Sequence, residues 1–286
     1  MKNSPYFLSS SRHSKEISSE KSISPTKIIR LRPIESPQDR KKLLKKIQIS
    51  SHFNMRFSAL YEFYGDDLID YKQDHFSDST CNEFLRIFSR YMTDYLKEKT
   101  PSSWEECKEA FWEKLILLYF PLSIKITPNI KETKKFISEL QKFTQWLDHR
   151  ANTNSAEIIS KFNKEFDEIN SCEYLLNHLI LTNYPNIHQK NWDCEDDFIE
   201  MDKEFFKFTH SIDGLFVVTS IIFDTVGLTE IDTNQIYHLK GLPLHLMERG
   251  MILHGIIGKK TNDMFWKWHQ TERIYPQSAK KYFLFV

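Results

Sequence analysis

Glycine is scarce in this chain. Seven occur among 286 residues, and only Gly65 precedes position 214. A glycine in a helix interior costs about 1 kcal/mol against alanine. A long stretch with one glycine therefore suits packed helices. No run of 18 or more apolar residues occurs, which argues against a helical membrane span and a membrane partner. The opening residues, MKNSPYFLSSSRHSKEISSEK, lack the apolar stretch of a secretory signal. The four cysteines, Cys81, Cys107, Cys172 and Cys194, are far apart and form no C-x-x-C. Neither a disulfide framework nor a structural zinc site is expected, and reduced thiols in a cytoplasm are. The signatures G-x-x-x-x-G-K-[ST], G-x-S-x-G and H-E-x-x-H are also missing. The expectation is a non-enzyme without a small-molecule cofactor or metal.

What is present is uneven. The formal net charge is zero, yet residues 1–50 carry +8, residues 51–213 carry −10 and residues 214–286 carry +2. A basic tail on an acidic body suits an anionic partner, or a tail that folds back. Residues 1–37 read as disordered, because Ser, Lys and Pro leave too little apolar surface to offset the ordering entropy. Ser36, Pro37 and Asp39 then suit the N-cap, first position and first turn of a helix. Leu43, Leu44 and Ile47 line that helix, flanked by Lys41, Lys42, Lys45 and Lys46.

An all-α domain is expected over residues 38–200. Phe84, Phe88, Tyr91 and Tyr95 share one helical face, as do Phe136, Leu140, Phe143 and Leu147, and Ile159, Phe162, Phe166 and Ile169. Ser102 and Glu105 have capping-box spacing, Pro121 reads as a helix end, and Thr127-Pro128 as the next start. After His210 the pattern changes. FVVTSII, TVGLTEI, QIYHL, GMILHGIIG and MFWKWHQ read as strands, with turns at Phe223-Asp224 and Asp232-Thr233-Asn234 and a short helical turn at LPLHLME. Six of the seven glycines lie here, and small barrels need glycine where strands bend or approach closely. The expected fold class is α+β: a helical bundle, then a small antiparallel β-barrel over residues 211–286.

Two resemblances accompany this reading. The stretch STCNEFLRIFSRYMTDYLKEKTPSSWEECKEAFWEKLILLYF, with IKETKKFISELQKFTQWLDHR and its ending Phe143, Trp146 and Leu147, resembles the SAM-like core-binding domain of tyrosine recombinases. That implies a helical fold able to contact DNA, in a protein of bacterial or phage type. The recombinase H-x-x-R is not matched, since His245 and Arg249 stand one residue too far apart, so recombinase activity is not implied. ERGMILHGIIGKK, with Gly250, Gly255 and Ile257, resembles the G-x(4)-G-x-V motif of S1-type OB barrels. Two strands precede it here, and an SH3-like barrel is equally open. Either implies nucleic-acid or peptide binding by analogy.

Candidate chemistry is sparse. Glu105/Glu106 and Asp196/Asp197 are adjacent carboxylates, which point apart on a helix rather than converge for acid–base work. His238, His245, His254 and His269 have no carboxylate or cysteine at ligand spacing and read as ordinary histidines. MFWKWHQTERIYPQSAKKYFLF interleaves aromatics with cations, as single-strand binders do. The same aromatics could equally be barrel core. The expected function is non-catalytic binding of DNA or RNA through Lys41, Lys42, Lys45, Lys46, Lys259, Lys260, Lys267, Trp268, Arg273, Lys280 and Lys281. The alternative is a protein-interaction adaptor whose acidic helical domain docks a basic partner, with an unrecognised enzyme third.

Overall fold

A computed structural model describes residues 36–284. The expected disordered tail therefore lies outside the described residues, apart from Ser36 and Pro37. Nine α-helices occur among the described residues: α1 (Pro37–Ser51), α2 (Gly65–Asp74), α3 (Ser79–Arg90), α4 (Glu109–Lys114), α5 (Phe120–Ser123), α6 (Glu132–Ala151), α7 (Ser155–Ser160), α8 (Asn163–Asn183) and α9 (Cys194–Phe205). Five strands follow: β1 (His210–Ile222), β2 (Thr225–Glu230), β3 (Ile236–Lys240), β4 (Ile252–Lys259) and β5 (Trp266–Tyr275). The fold is α+β. None of the helices is long and apolar enough to cross a membrane.

Helix α1 begins as its sequence dictates. The Ser36 hydroxyl oxygen accepts the Asp39 N–H at 3.1 Å and the hydroxyl donates to the Asp39 carboxylate at 2.7 Å. The aromatic stripes meet in the interior. Phe84 packs on Phe136 and Phe143, and Phe88 on Trp104, Trp112 and Phe143. From Lys41 onward the chain is one compact unit, and its buried apolar residues form a single core running from helices into sheet.

Four expected boundaries move. The capping box is not made: the Ser102 N–H donates to Glu106 instead, and a short 3-10 turn (Trp104–Glu106) precedes α4. Pro121 does not end its helix. A π turn (Leu115–Tyr119) comes first, and Pro121 sits inside the α5 that continues it to Ser123. Helix α6 starts at Glu132 rather than after Thr127-Pro128. Its leading N–H groups, those of Glu132 and Thr133, donate to the buried Glu173 carboxylate of α8, each at 2.8 Å. The stripe from Ile159 to Ile169 is buried but divided between α7 and α8.

The strands hydrogen-bond in the closed order β1-β2-β3-β5-β4. β1 is long enough to pair with β2 along one half and with β4 along the other. The sheet is not wholly antiparallel: β3 and β5 close it as a short parallel pair through Leu239–Trp266 and Lys240–Lys267. That arrangement follows from β4, which stands between β1 and β5 and runs antiparallel to both, so that β5 points the same way as β3.

Candidate nucleic-acid interface

At one end of the sheet a single row of register partners crosses the strands. Ile222 stands opposite Thr225, Thr225 opposite Lys240, Lys240 opposite Lys267, and Lys267 opposite Gly258. Adjacent strands lie about 4.8 Å apart, so the two lysines are immediate neighbours. Two connections border this row: the turn between β1 and β2, and the loop between β4 and β5.

The β1–β2 turn is Phe223-Asp224. Phe223 has φ +53° and is 95% exposed. A bulky residue in the left-handed region is a genuine outlier, and an aromatic ring so exposed contributes nothing to the core. Beside it Ile222 is also exposed. The β4–β5 loop presents Met264, 81% exposed, next to the half-buried Phe265. Lys240 ties the two connections together. Its ammonium lies 2.8 Å from the Asp224 carboxylate and 4.5 Å from the Phe265 ring centroid. The hydrogen bond from Lys240 holds the exposed Asp224 carboxyl below its ordinary value.

More cations gather nearby. Glu204 at the end of α9 is held below its usual range first by its hydrogen bond from Lys207, and the charges of Lys260 and Lys267 act in the same direction. One exposed carboxylate thus feels three lysines. Lys259, at the end of β4, accepts through its carbonyl from the Thr209 N–H.

The sequence-expected residues divide. Lys259, Lys260 and Lys267 come together at this end. Arg273 lies six residues further along β5, about 20 Å at the rise of a strand, and its guanidinium donates to the Glu272 carbonyl at 2.5 Å. Lys280 and Lys281 lie beyond the strands. They lie in a 3-10 stretch (Gln277–Tyr282), where the Lys281 ammonium (2.5 Å) and the Tyr282 hydroxyl (2.6 Å) both contact Glu113 of α4. Trp268 is half-buried. Its indole N–H donates to Thr271 at 2.7 Å and its ring packs on Phe216. Trp266 packs on Tyr237, so both tryptophans face the core. Lys41, Lys42, Lys45 and Lys46 are on α1, where Lys46 pairs with Asp66 at 2.5 Å.

Phe223, Lys240 and Met264 were not among the expected residues, while Phe265 belongs to the aromatic stretch read as either binding surface or core. The turn pair Phe223-Asp224 carries the one usable signal, a large aromatic where a hairpin turn calls for Gly, Asn or Asp. The histidines separate as well. His245 stacks edge-on with His178, and His269 packs on Phe205 and Phe208. His254, however, gains two carboxylate neighbours that strand pairing alone supplies, Asp213 and Glu272. Helices α2 and α6 also frame an open hollow of about 370 Å³ lined by Asp70, Asp74, Trp146 and Arg150.

Comparison with family models, curated proteins and solved structures finds no match for the chain.

Proposed function

We propose that the protein binds single-stranded nucleic acid, without catalysis, at the sheet end built from the β1–β2 turn, the Lys240–Lys267 pair and the β4–β5 loop. The observation that carries this is the pairing of the exposed, left-handed Phe223 with a lysine row that continues to Phe265. Exposed rings stack on bases irrespective of sequence, and neighbouring cations hold the phosphates. A single strand offers both an unstacked base face and a flexible backbone, whereas a duplex hides its base faces. The closed five-stranded order supports an OB-type reading of the barrel, since OB barrels bind oligonucleotides through strands 2 and 3 and the loops joining strands 1–2 and 4–5. Lys240 lies on β3 and Phe223 and Met264 lie in those two loops.

The test is fluorescence anisotropy with labelled single-stranded DNA and RNA at several salt concentrations. Affinity is expected to fall log-linearly with salt, as counterion release requires. Replacing Lys240 and Lys267 together by Ala should make that slope shallower by up to about two phosphate contacts. Phe223→Ala should weaken binding by about 1–3 kcal/mol with the slope unchanged, because stacking releases no counterions. No binding at about 50 mM salt, where phosphate contacts are strong, would end this reading.

A protein-docking adaptor is the second reading, and α9 favours it. No residue of α9 is buried, its first turn carries Glu195, Asp196 and Asp197, and Ile199 and the adjoining Phe206 are exposed. Such a helix suits a basic amphipathic partner. It takes precedence if neither DNA nor RNA binds.

A further inference from the structure

The outer face of β1, β4 and β5 brings together three side chains that are remote in sequence. Asp213 comes from β1, His254 from β4 and Glu272 from β5, and one ligand-capable atom of each lies within 4.8 Å of the other two. Strand register places them. Asp213 is opposite Ile256, two residues from His254 along β4, so both side chains emerge on the same face. Glu272 arrives there by a different route. Pairing between β4 and β5 passes from His254–Arg273 directly to Gly255–Thr271, which leaves Glu272 as the extra residue of a β-bulge. A bulge re-aims a side chain, and here the Glu272 carboxylate comes to 3.2 Å from His254 Nδ1.

The electrostatics leave this group short of positive charge. Among the described residues, no lysine or arginine pairs with Asp213 or Glu272, and the neighbour of the Glu272 carboxylate is the His254 imidazole. The adjacent Arg273 does not serve, because its guanidinium donates to the Glu272 carbonyl rather than to a carboxylate. Two carboxylates and an imidazole therefore face one another partly exposed. An imidazole with two carboxylates is a donor set for a divalent first-row ion, and zinc takes three protein ligands of these types with a fourth position open. Two ligands of a tetrahedral ion, each bound at about 2.1 Å, stand roughly 3.4 Å apart. The His254–Glu272 pair already has that separation. Asp213 has only to rotate its exposed side chain inward.

We propose that Asp213, His254 and Glu272 form a zinc-binding site on the barrel exterior, independent of the nucleic-acid reading. Metal-free protein titrated with zinc chloride by calorimetry should bind one equivalent more than His254→Ala does. Glu272→Gln and Asp213→Asn should each weaken that equivalent at least tenfold, with circular dichroism unchanged. If the wild type and His254→Ala take up zinc with the same stoichiometry and affinity, the site does not exist. A second readout avoids any dependence on the variants folding. Cobalt(II) added to the wild type should shift the His254 ring resonances paramagnetically, and unmoved resonances at saturating cobalt overturn the proposal.

Discussion

Gly255 occupies a point where β4 and β5 are too close for any side chain. A Cβ built there would stand 2.0 Å from the Gln270 carbonyl oxygen and 2.7 Å from the Trp268 ring. The first of these is backbone and cannot swing away, so the strand itself would have to move. Its register partner on β1 is another glycine, Gly214. Gly255→Val is expected to destabilise the protein by about 1–3 kcal/mol, the usual cost of overpacking, read as a lower midpoint in urea. A neutral substitution would mean that β4 and β5 are further apart than described. This position is legible in the sequence, because close backbone approach restricts the choice to one residue type. Lys72 shows the opposite case. It is fully buried, and its ammonium donates to the carbonyls of His75, Phe76 and Asp78 at 2.9, 2.7 and 3.2 Å. Three carbonyls of the α2–α3 connection are thereby satisfied. Every residue carries a carbonyl, so nothing in the sequence marks these three as the partners of a buried lysine.

Among the elements, the β1–β2 turn connects conformation to function most directly. For an L-residue the left-handed conformation costs roughly 1–2 kcal/mol, and Phe223 adopts it while exposing its whole ring. Phe223→Gly is expected to keep the turn and raise stability by up to that amount, while oligonucleotide affinity falls as it does for Phe223→Ala. Chemical denaturation and anisotropy on the same variant check both halves. If stability and affinity fall together, the ring is structural and stacking is not its role. The two strand residues that complete the site, Lys240 and Lys267, face each other only because β3 and β5 pair in parallel. Strand positions are visible in the residue alternation and turn signals from Phe216 onward, but alternation is silent about which strands become neighbours. The same limit applies to helix α6. Its N-terminal N–H groups are satisfied by Glu173, some 40 residues away, so the local signal at Thr127-Pro128 misplaces its start. Glu272 is harder still, since a bulge is a property of two strands and not of one.

At the scale of the molecule, the change from helical to strand pattern near residue 210 is plain in the sequence, while the contacts that join the two parts are not. The polar ones link residues far apart in the chain. Glu113 of α4 receives Tyr282 and Lys281, and Asn183 at the end of α8 donates to the His269 carbonyl at 2.8 Å. The His269 ring completes that seam against Phe205 at 5.5 Å and Phe208 at 5.4 Å. Burial there lowers its pKa from the ordinary 6.5, and the negative charges of Glu204 and Asp202 only partly oppose this. The consequence for stability has a definite sign. Well above pH 6.5 the ring is neutral in both folded and unfolded chains. As pH falls through 6.5 the unfolded chain takes up the proton first, so stability declines until the pH drops below the folded-state value, after which His269 contributes no further change. The seam is therefore acid-sensitive. Between pH 7.5 and pH 5.5 the melting temperature of the wild type is expected to fall more than that of His269→Gln, which keeps a polar side chain but cannot titrate. The other carboxylates and histidines contribute alike to both proteins and cancel in the comparison. Equal declines would show that the His269 ring is as well solvated in the folded protein as in the unfolded chain, and that the contact between α9 and β5 is looser than the ring geometry implies.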